Sequence, residues 1–137
     1  MNKDKVDQFI EFMLHFQRFG EQSPPFEKLG ISPAQIVYLD YLARYAPCTL
    51  TQITEGLGLR AASVSVMIKV LESKGLISRK KNAEDGRSIL LDLTNEGRQA
   101  FTGIDRYRRQ KAERLLSRLT EAEMDQLLSV FEKTMQI

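Results

Sequence analysis

The stretch from Ser78 to Gly97 constrains this chain more than any other. Two short runs, Leu76 to Lys80 and Ser88 to Leu93, flank a loop carrying the turn formers Asn82, Glu84, Asp85 and Gly86. In the second run Ile89, Leu91 and Leu93 alternate with Leu90 and Asp92, so the spacing predicts a β-hairpin. Immediately before it lie two short helical segments joined by Leu57-Gly58-Leu59, a tight glycine-bearing turn. That order is the signal of a helix-turn-helix followed by a charged wing. The shape suits duplex DNA: a helix fits the major groove, and an arginine at the hairpin tip reaches the minor groove.

Caps and apolar spacing set the other elements. Lys3 to about Gly20 reads as a helix with Phe9, Phe12, Phe16 and Phe19 on one face. Gly20 to Gly30 reads as a loop, because Ser23-Pro24-Pro25 forbids regular structure. Ser32, Pro33 and Gln35 form the start of the next helix: a cap, a proline at the first helical position and a capping box. Pro47 ends that helix. Thr49 and Gln52 repeat the box and open a short helix to about Gly56. A third helix from Arg60 to about Lys74 turns Val64, Met67, Ile68 and Leu71 inward, and Gly75 closes it as a left-handed cap. Thr94 caps a long helix whose middle, Asp105 to Arg114, is almost wholly polar and reads as a strut through solvent. Thr120 and Glu123 box the last helix, which carries Met124, Leu127, Leu128, Phe131 and Met135 at helical spacing.

Both chain ends are therefore apolar helices around a compact middle. The expected fold is mainly α with a small β-hairpin wing, a winged helix-turn-helix lobe at 32–93 flanked by dimerisation helices at 3–20 and 95–135. Phe9, Phe12, Phe16, Leu116, Leu127 and Phe131 are the expected dimer contacts, since so greasy a terminal face must be covered and a second subunit can do it.

A chain of 137 residues fits one domain, and 42% hydrophobic with 28% charged residues is an ordinary soluble balance. No apolar run is long enough for a transmembrane helix. Met1-Asn2-Lys3-Asp4-Lys5 does not begin a signal peptide. One cysteine, Cys48, suits a reducing cytoplasm and reads as a small buried residue. One histidine, His15, cannot build a zinc site with it. There is no phosphate-binding glycine loop and no acid–base set, so neither an enzyme, a metal nor a cofactor is expected. A net charge of +2 says little by itself, and position says more: Arg79, Lys80 and Lys81 are adjacent in the wing.

Within the DNA reading, the first turns of the third helix place Arg60, Ala61, Ser63, Ser65 and Val66 toward the bases. Hydroxyls donate or accept there, and alanine or valine touches a thymine methyl. Lys69, Lys74, Arg79, Lys80 and Lys81 are read as phosphate contacts, and Ser88 belongs to the same wing. Arg87 sits at the tip, where a guanidinium enters an A·T-rich minor groove, and Asp85 can orient it through an ion pair. A solvated hairpin with charges for solubility, and serines that merely cap or face water, account for the same residues.

In order and at spacing, Ile31-Ser32-Pro33-Ala34-Gln35, Leu50-Thr51-Gln52-Ile53, Leu71-Glu72-Ser73-Lys74-Gly75-Leu76-Ile77, Asp85-Gly86-Arg87-Ser88 and Leu93-Thr94-Asn95-Glu96-Gly97-Arg98 resemble the MarR family of bacterial winged-helix transcription regulators. The resemblance implies a homodimer on a pseudo-palindromic operator in double-stranded DNA. It implies Arg87 as the minor-groove arginine with Asp85 as its structural partner. It also implies repression relieved by a small aromatic effector held between dimer helices and lobe, for which Phe12, Phe16, Tyr38, Tyr41 and Tyr45 are the aromatic candidates; core packing explains each of these equally well. No membrane partner follows. The chain departs from the family in carrying Arg60 at a cap position, and Val66 and Val70 where large polar residues are common. An alternative is a winged-helix dimer with a protein–protein or scaffold role and weak or lost DNA binding.

Overall fold

A computed structural model describes residues 1–18 and 28–136. The elements are α1 (Lys3–Arg18), α2 (Pro33–Tyr45), β1 (Cys48–Thr49), α3 (Leu50–Leu57), α4 (Ala61–Ser73), β2 (Ile77–Lys81), β3 (Ile89–Leu93), α5 (Asn95–Leu116) and α6 (Glu121–Met135). Phe19, Gly20 and the loop through Ser23-Pro24-Pro25 lie outside the described residues. The chain divides into two compact units, Pro24–Asp105 and Met1–Ser23 with Arg106–Ile137.

In the first unit α2 and α3 start where their capping boxes say they should. Ser32 Oγ accepts the Gln35 amide at 3.3 Å, and Gln35 Oε1 accepts the Ser32 amide at 3.0 Å. Thr49 and Gln52 make the same reciprocal pair at 3.2 and 2.8 Å. Each box satisfies two helix-end donors that would otherwise lack partners. Ala46 is extended at φ −66, ψ 149, as a residue before proline must be, and this ends α2.

Where the sequence suggested two strands, the sheet has three, in the order β1-β3-β2, all antiparallel. Cys48 pairs with Leu91 and Thr49 with Leu90 on one edge, while Ile77 to Lys81 pair with Leu93 to Ile89 on the other. Two residues are too few for alternation to reveal β1. Thr49, at φ −83, ψ 162, serves both as strand and as helix cap. The hairpin strands each begin one residue later than expected. Leu76 is taken by a Schellman cap, its amide donating to Leu71 O at 3.0 Å while Gly75, at φ 74, donates to Glu72 O at 2.9 Å. Ser88 is taken by the turn, its amide donating to Asp85 O at 3.1 Å.

The core of this unit gathers Leu39, Leu42, Ile53, Val64, Ile68, Leu71, Leu91 and Ile104, all essentially inaccessible. Each such side chain contributes about 1.5–3 kcal/mol through burial. Val64, Ile68 and Leu71 fix the rotation of α4 about its axis, and so decide which of its residues face outward. At the start of α5, Thr94 Oγ1 accepts the Gly97 amide at 3.0 Å and donates to Gly75 O at 2.6 Å, tying the helix to the end of α4.

In the second unit α6 opens with the Thr120–Glu123 box, both bonds at 3.2 Å. The apolar side chains of α1 stay exposed in the single chain, among them Phe9 (55%), Phe12 (61%) and Phe16 (58%). Phe131 is exposed as well, and Leu116 and Leu127 are half-buried. Lys111 Nζ lies 5.4 Å from the Phe16 ring centroid, a cation–π distance. Among the described residues, no helix is long and apolar enough to cross a membrane.

Candidate nucleic-acid interface

Gly58 ends α3 in the left-handed conformation, φ 64, which any side chain would strain. That reversal aims the start of α4 away from α3. Arg60 occupies the cap position at φ −74, ψ 138 and makes no side-chain cap bond to the first amides of α4. On α4, Ala61, Ala62, Ser63, Val66, Lys69, Val70 and Ser73 are exposed, with Val66 the most prominent apolar group at 63%. Ser65 is half-buried on the flank. The centre of the outer face therefore runs through Ala62, Val66, Lys69, Val70 and Ser73. Ala62 and Ser73 were not among the expected contacts, although a 3.6-residue count opposite Val64, Ile68 and Leu71 picks them out.

The wing turn is built by side chains bonding to its own backbone. Asn82 Oδ1 accepts the Glu84 amide at 3.1 Å, and Asn82 Nδ2 donates to Ser88 Oγ at 3.2 Å. The expected ion pair between Asp85 and Arg87 is replaced by a backbone bond, Asp85 Oδ1 accepting the Arg87 amide at 3.0 Å. Two residues apart, a carboxylate closes an Asx-turn onto the main chain and leaves the guanidinium outside. Ser88 Oγ donates to Asp85 O at 3.3 Å, so this hydroxyl is spent on the turn. Arg87 itself is exposed, as are Lys80 and Lys81.

Two expected phosphate contacts have protein partners. Arg79 Nε lies 2.6 Å from Glu72 Oε1, an ion pair joining β2 to α4. Lys74 Nζ donates to the Gly30 carbonyl and, at 2.9 Å, to Gln35 Oε1. Lys74 thus braces the end of α4 against the start of α2, and its charge is engaged far along the helix from Ala61.

The aromatic candidates separate by setting. Tyr38 is 4% exposed in the core, and burial raises its pKa. The Tyr41 hydroxyl donates to Gln52 O at 3.0 Å, and the Tyr41 and Tyr45 rings stand 4.7 Å apart at 45°. Partial burial, then the neighbouring Cys48, Tyr45 and Glu55, raise the Tyr41 pKa. Packing and that hydrogen bond account for Tyr38 and Tyr41, while Tyr45 is exposed and Phe12 and Phe16 belong to the second unit. Cys48 is buried, and burial followed by the Asp92 charge pushes its thiol pKa up, which disfavours the reactive thiolate.

A model of the MarR family matches residues 29–88, from the residue before Gly30 to the last residue of the wing turn. The HTH-type transcriptional repressor MdtR of Bacillus subtilis (strain 168) is 36% identical over 110 residues, covering 80% of this chain and 71% of that protein. The chain belongs to the MarR family. The crystal structure of the YusO protein from Bacillus subtilis superimposes with a TM-score of 0.72 at 32% identity, covering 99% of both chains. A Staphylococcus aureus MepR–DNA complex gives a TM-score of 0.72 over 99% of this chain and 98% of that one; at 23% identity it speaks for the fold alone. MarR proteins are transcriptional regulators, and this MarR-family chain is a regulator of transcription with a winged helix-turn-helix.

Proposed function

We propose that the chain is a homodimeric repressor that covers a pseudo-palindromic operator in the cytoplasm and leaves it when a small aromatic molecule binds. The observation that carries this is the pairing of an outward α4 face, set by Val64, Ile68 and Leu71, with an exposed Arg87 on a turn braced by Asp85. One element has the dimensions for the major groove, and the other presents a cation for the adjacent minor groove. The likeness to MepR, whose structure was solved with DNA, supports this use of the fold. Lys69, Lys80 and Lys81 supply phosphate contacts. Arg60 and Ser63 stand at the mouth of the groove.

The exposed faces of α1 and α6 support dimerisation, because Phe9, Phe12, Phe16 and Phe131 are left facing water in a single chain. Leu116 and Leu127 extend the same surface. Two-fold symmetry then requires two half-sites about one helical turn apart, ~34–36 Å.

The test is fluorescence anisotropy with duplex from the region upstream of the protein's own gene, repeated over a salt series. Three lysines per protomer, six in the dimer, predict a slope of log K against log salt of about −5. Arg87→Ala should weaken binding at least tenfold and leave the dimer intact on sedimentation. Unchanged affinity would remove the wing from the interface.

A further inference from the structure

Helix α4, Ala61–Ser73, contains no arginine, asparagine or glutamine. With lysine, those are the side chains that make bidentate hydrogen bonds to guanine or adenine edges, and Lys69 is the one such residue on the helix. Its one acidic residue, Glu72, is held by Arg79 at 2.6 Å. Of its serines, Ser73 donates its hydroxyl to Lys69 O at 2.9 Å, Ser65 is half-buried, and Ser63 is exposed in the first turn. What remains at the centre of the outer face is apolar and small: Ala62, Val66 and Val70, with Lys69 beside them.

Building on the reading of the chain as a DNA-binding regulator, we infer that Val66, flanked by Ala62 and Val70, is the specificity-determining residue, and that it reads the C5-methyl groups of thymine in the operator. The thymine methyl is the only apolar group on the floor of the major groove. Against a G·C pair the same valine would cover N7, O6 or the N4 amino group and leave them without water or partner, which is costly. The flanking cations select the occupant. Lys69 on the helix, and Lys80, Lys81 and Arg87 on the wing, are exposed and match a polyanion rather than an apolar protein surface. The consequence is an operator whose α4-facing steps are A·T pairs with thymine in register, recognised by methyl contact in the major groove and by Arg87 in the minor groove.

Thymine-to-uracil replacement separates these two modes. Uracil keeps every Watson–Crick and minor-groove atom and removes only the methyl. Losing one buried methyl weakens binding about fourfold, so one per half-site in a two-fold dimer gives about fifteenfold.

The experiment starts from a random-core duplex pool selected on the full-length protein at low salt. The enriched duplex is then remade with deoxyuridine in place of thymidine, and both are titrated against wild type and Val66→Ala. Val66 is exposed and alanine favours helix, so this variant keeps its fold. The expected result is thymine at the α4-facing positions, a uracil penalty of about fifteenfold for wild type, and a penalty at least fourfold smaller for Val66→Ala. An enriched duplex with G·C pairs at those positions overturns the inference and leaves DNA regulation standing. So does equal affinity for the thymine and uracil duplexes, or an undiminished penalty in Val66→Ala. A pool from which nothing is enriched overturns the regulator reading, and this inference with it.

Discussion

Gly97 and Gly103 lie on the same helix, α5, yet alanine should have opposite effects at the two. A Cβ at position 97 would sit 3.1 Å from the Leu76 carbonyl carbon and 3.3 Å from Leu93 Cδ2, and would overlap the Leu76 oxygen outright. That oxygen is fixed, because it accepts the Thr94 amide at 3.1 Å where the helix leaves the sheet. Relief requires backbone movement rather than a rotamer change. Overpacking of this kind costs about 1–3 kcal/mol, and weakening the Thr94 hydrogen bond adds about 1 kcal/mol. Helix propensity returns about 0.5–1 kcal/mol. The net loss for Gly97→Ala is about 1–3 kcal/mol, a fall in Tm of about 3–9 °C for a chain of this size. A Cβ at Gly103 meets nothing within 4 Å. Gly103→Ala should therefore gain about 0.5–1 kcal/mol, or about 2–3 °C. Thermal denaturation followed by circular dichroism, at one fixed protein concentration, measures both. A Gly97→Ala protein as stable as wild type would refute the close approach of α5 to Leu76. A destabilised Gly103→Ala would refute the open space around α5.

Further outcomes follow from the same geometry. Glu72→Gln should free Arg79 for phosphate and remove an anion from the interface, raising DNA affinity about two- to tenfold while costing under about 1 kcal/mol of stability, since the pair is partly exposed; anisotropy and urea unfolding check the two halves. Native Cys48 should resist Ellman's reagent at pH 8 and react on unfolding, because it is buried and its thiol pKa is raised. The Cys48 contribution to stability is full below the unfolded thiol value, about 8.5, and is lost as pH rises through the higher folded value, so Cys48→Ser should flatten the alkaline side of the stability profile. Lys74→Met should leave Gln35 and Gly30 without their shared donor, lowering stability by about 1–2 kcal/mol with little change in the salt slope of DNA binding; a slope reduced by about 2 would instead make Lys74 a phosphate contact in each protomer.

Local chemistry made most of the fold legible. Three capping boxes at Ser32, Thr49 and Thr120 each involve residues three apart, and a left-handed glycine at position 75 follows from the end of a helical period. The inward face of α4 was legible for the same reason, since Val64, Ile68 and Leu71 recur at helical spacing. What stayed hidden depended on distant partners. β1 is two residues that become a strand only by pairing with Leu90 and Leu91. Lys74 finds Gly30 and Gln35, and Arg79 finds Glu72, across turns that spacing alone does not fold. Ala61 is exposed in the first turn as expected, while Ala62 beside it lies nearer the centre of the outer face and Ser65 lies on the flank. Asp85 was read as an ion partner of Arg87, but at that spacing a carboxylate reaches the backbone amide first.

Hydroxyl-radical footprinting of the protein on its enriched duplex tests the central claim most directly. The account predicts two symmetric protected segments about one helical turn apart, each flanked by a protected minor groove that Arg87→Ala alone exposes. A single asymmetric footprint, or flanking protection unchanged in Arg87→Ala, would contradict it.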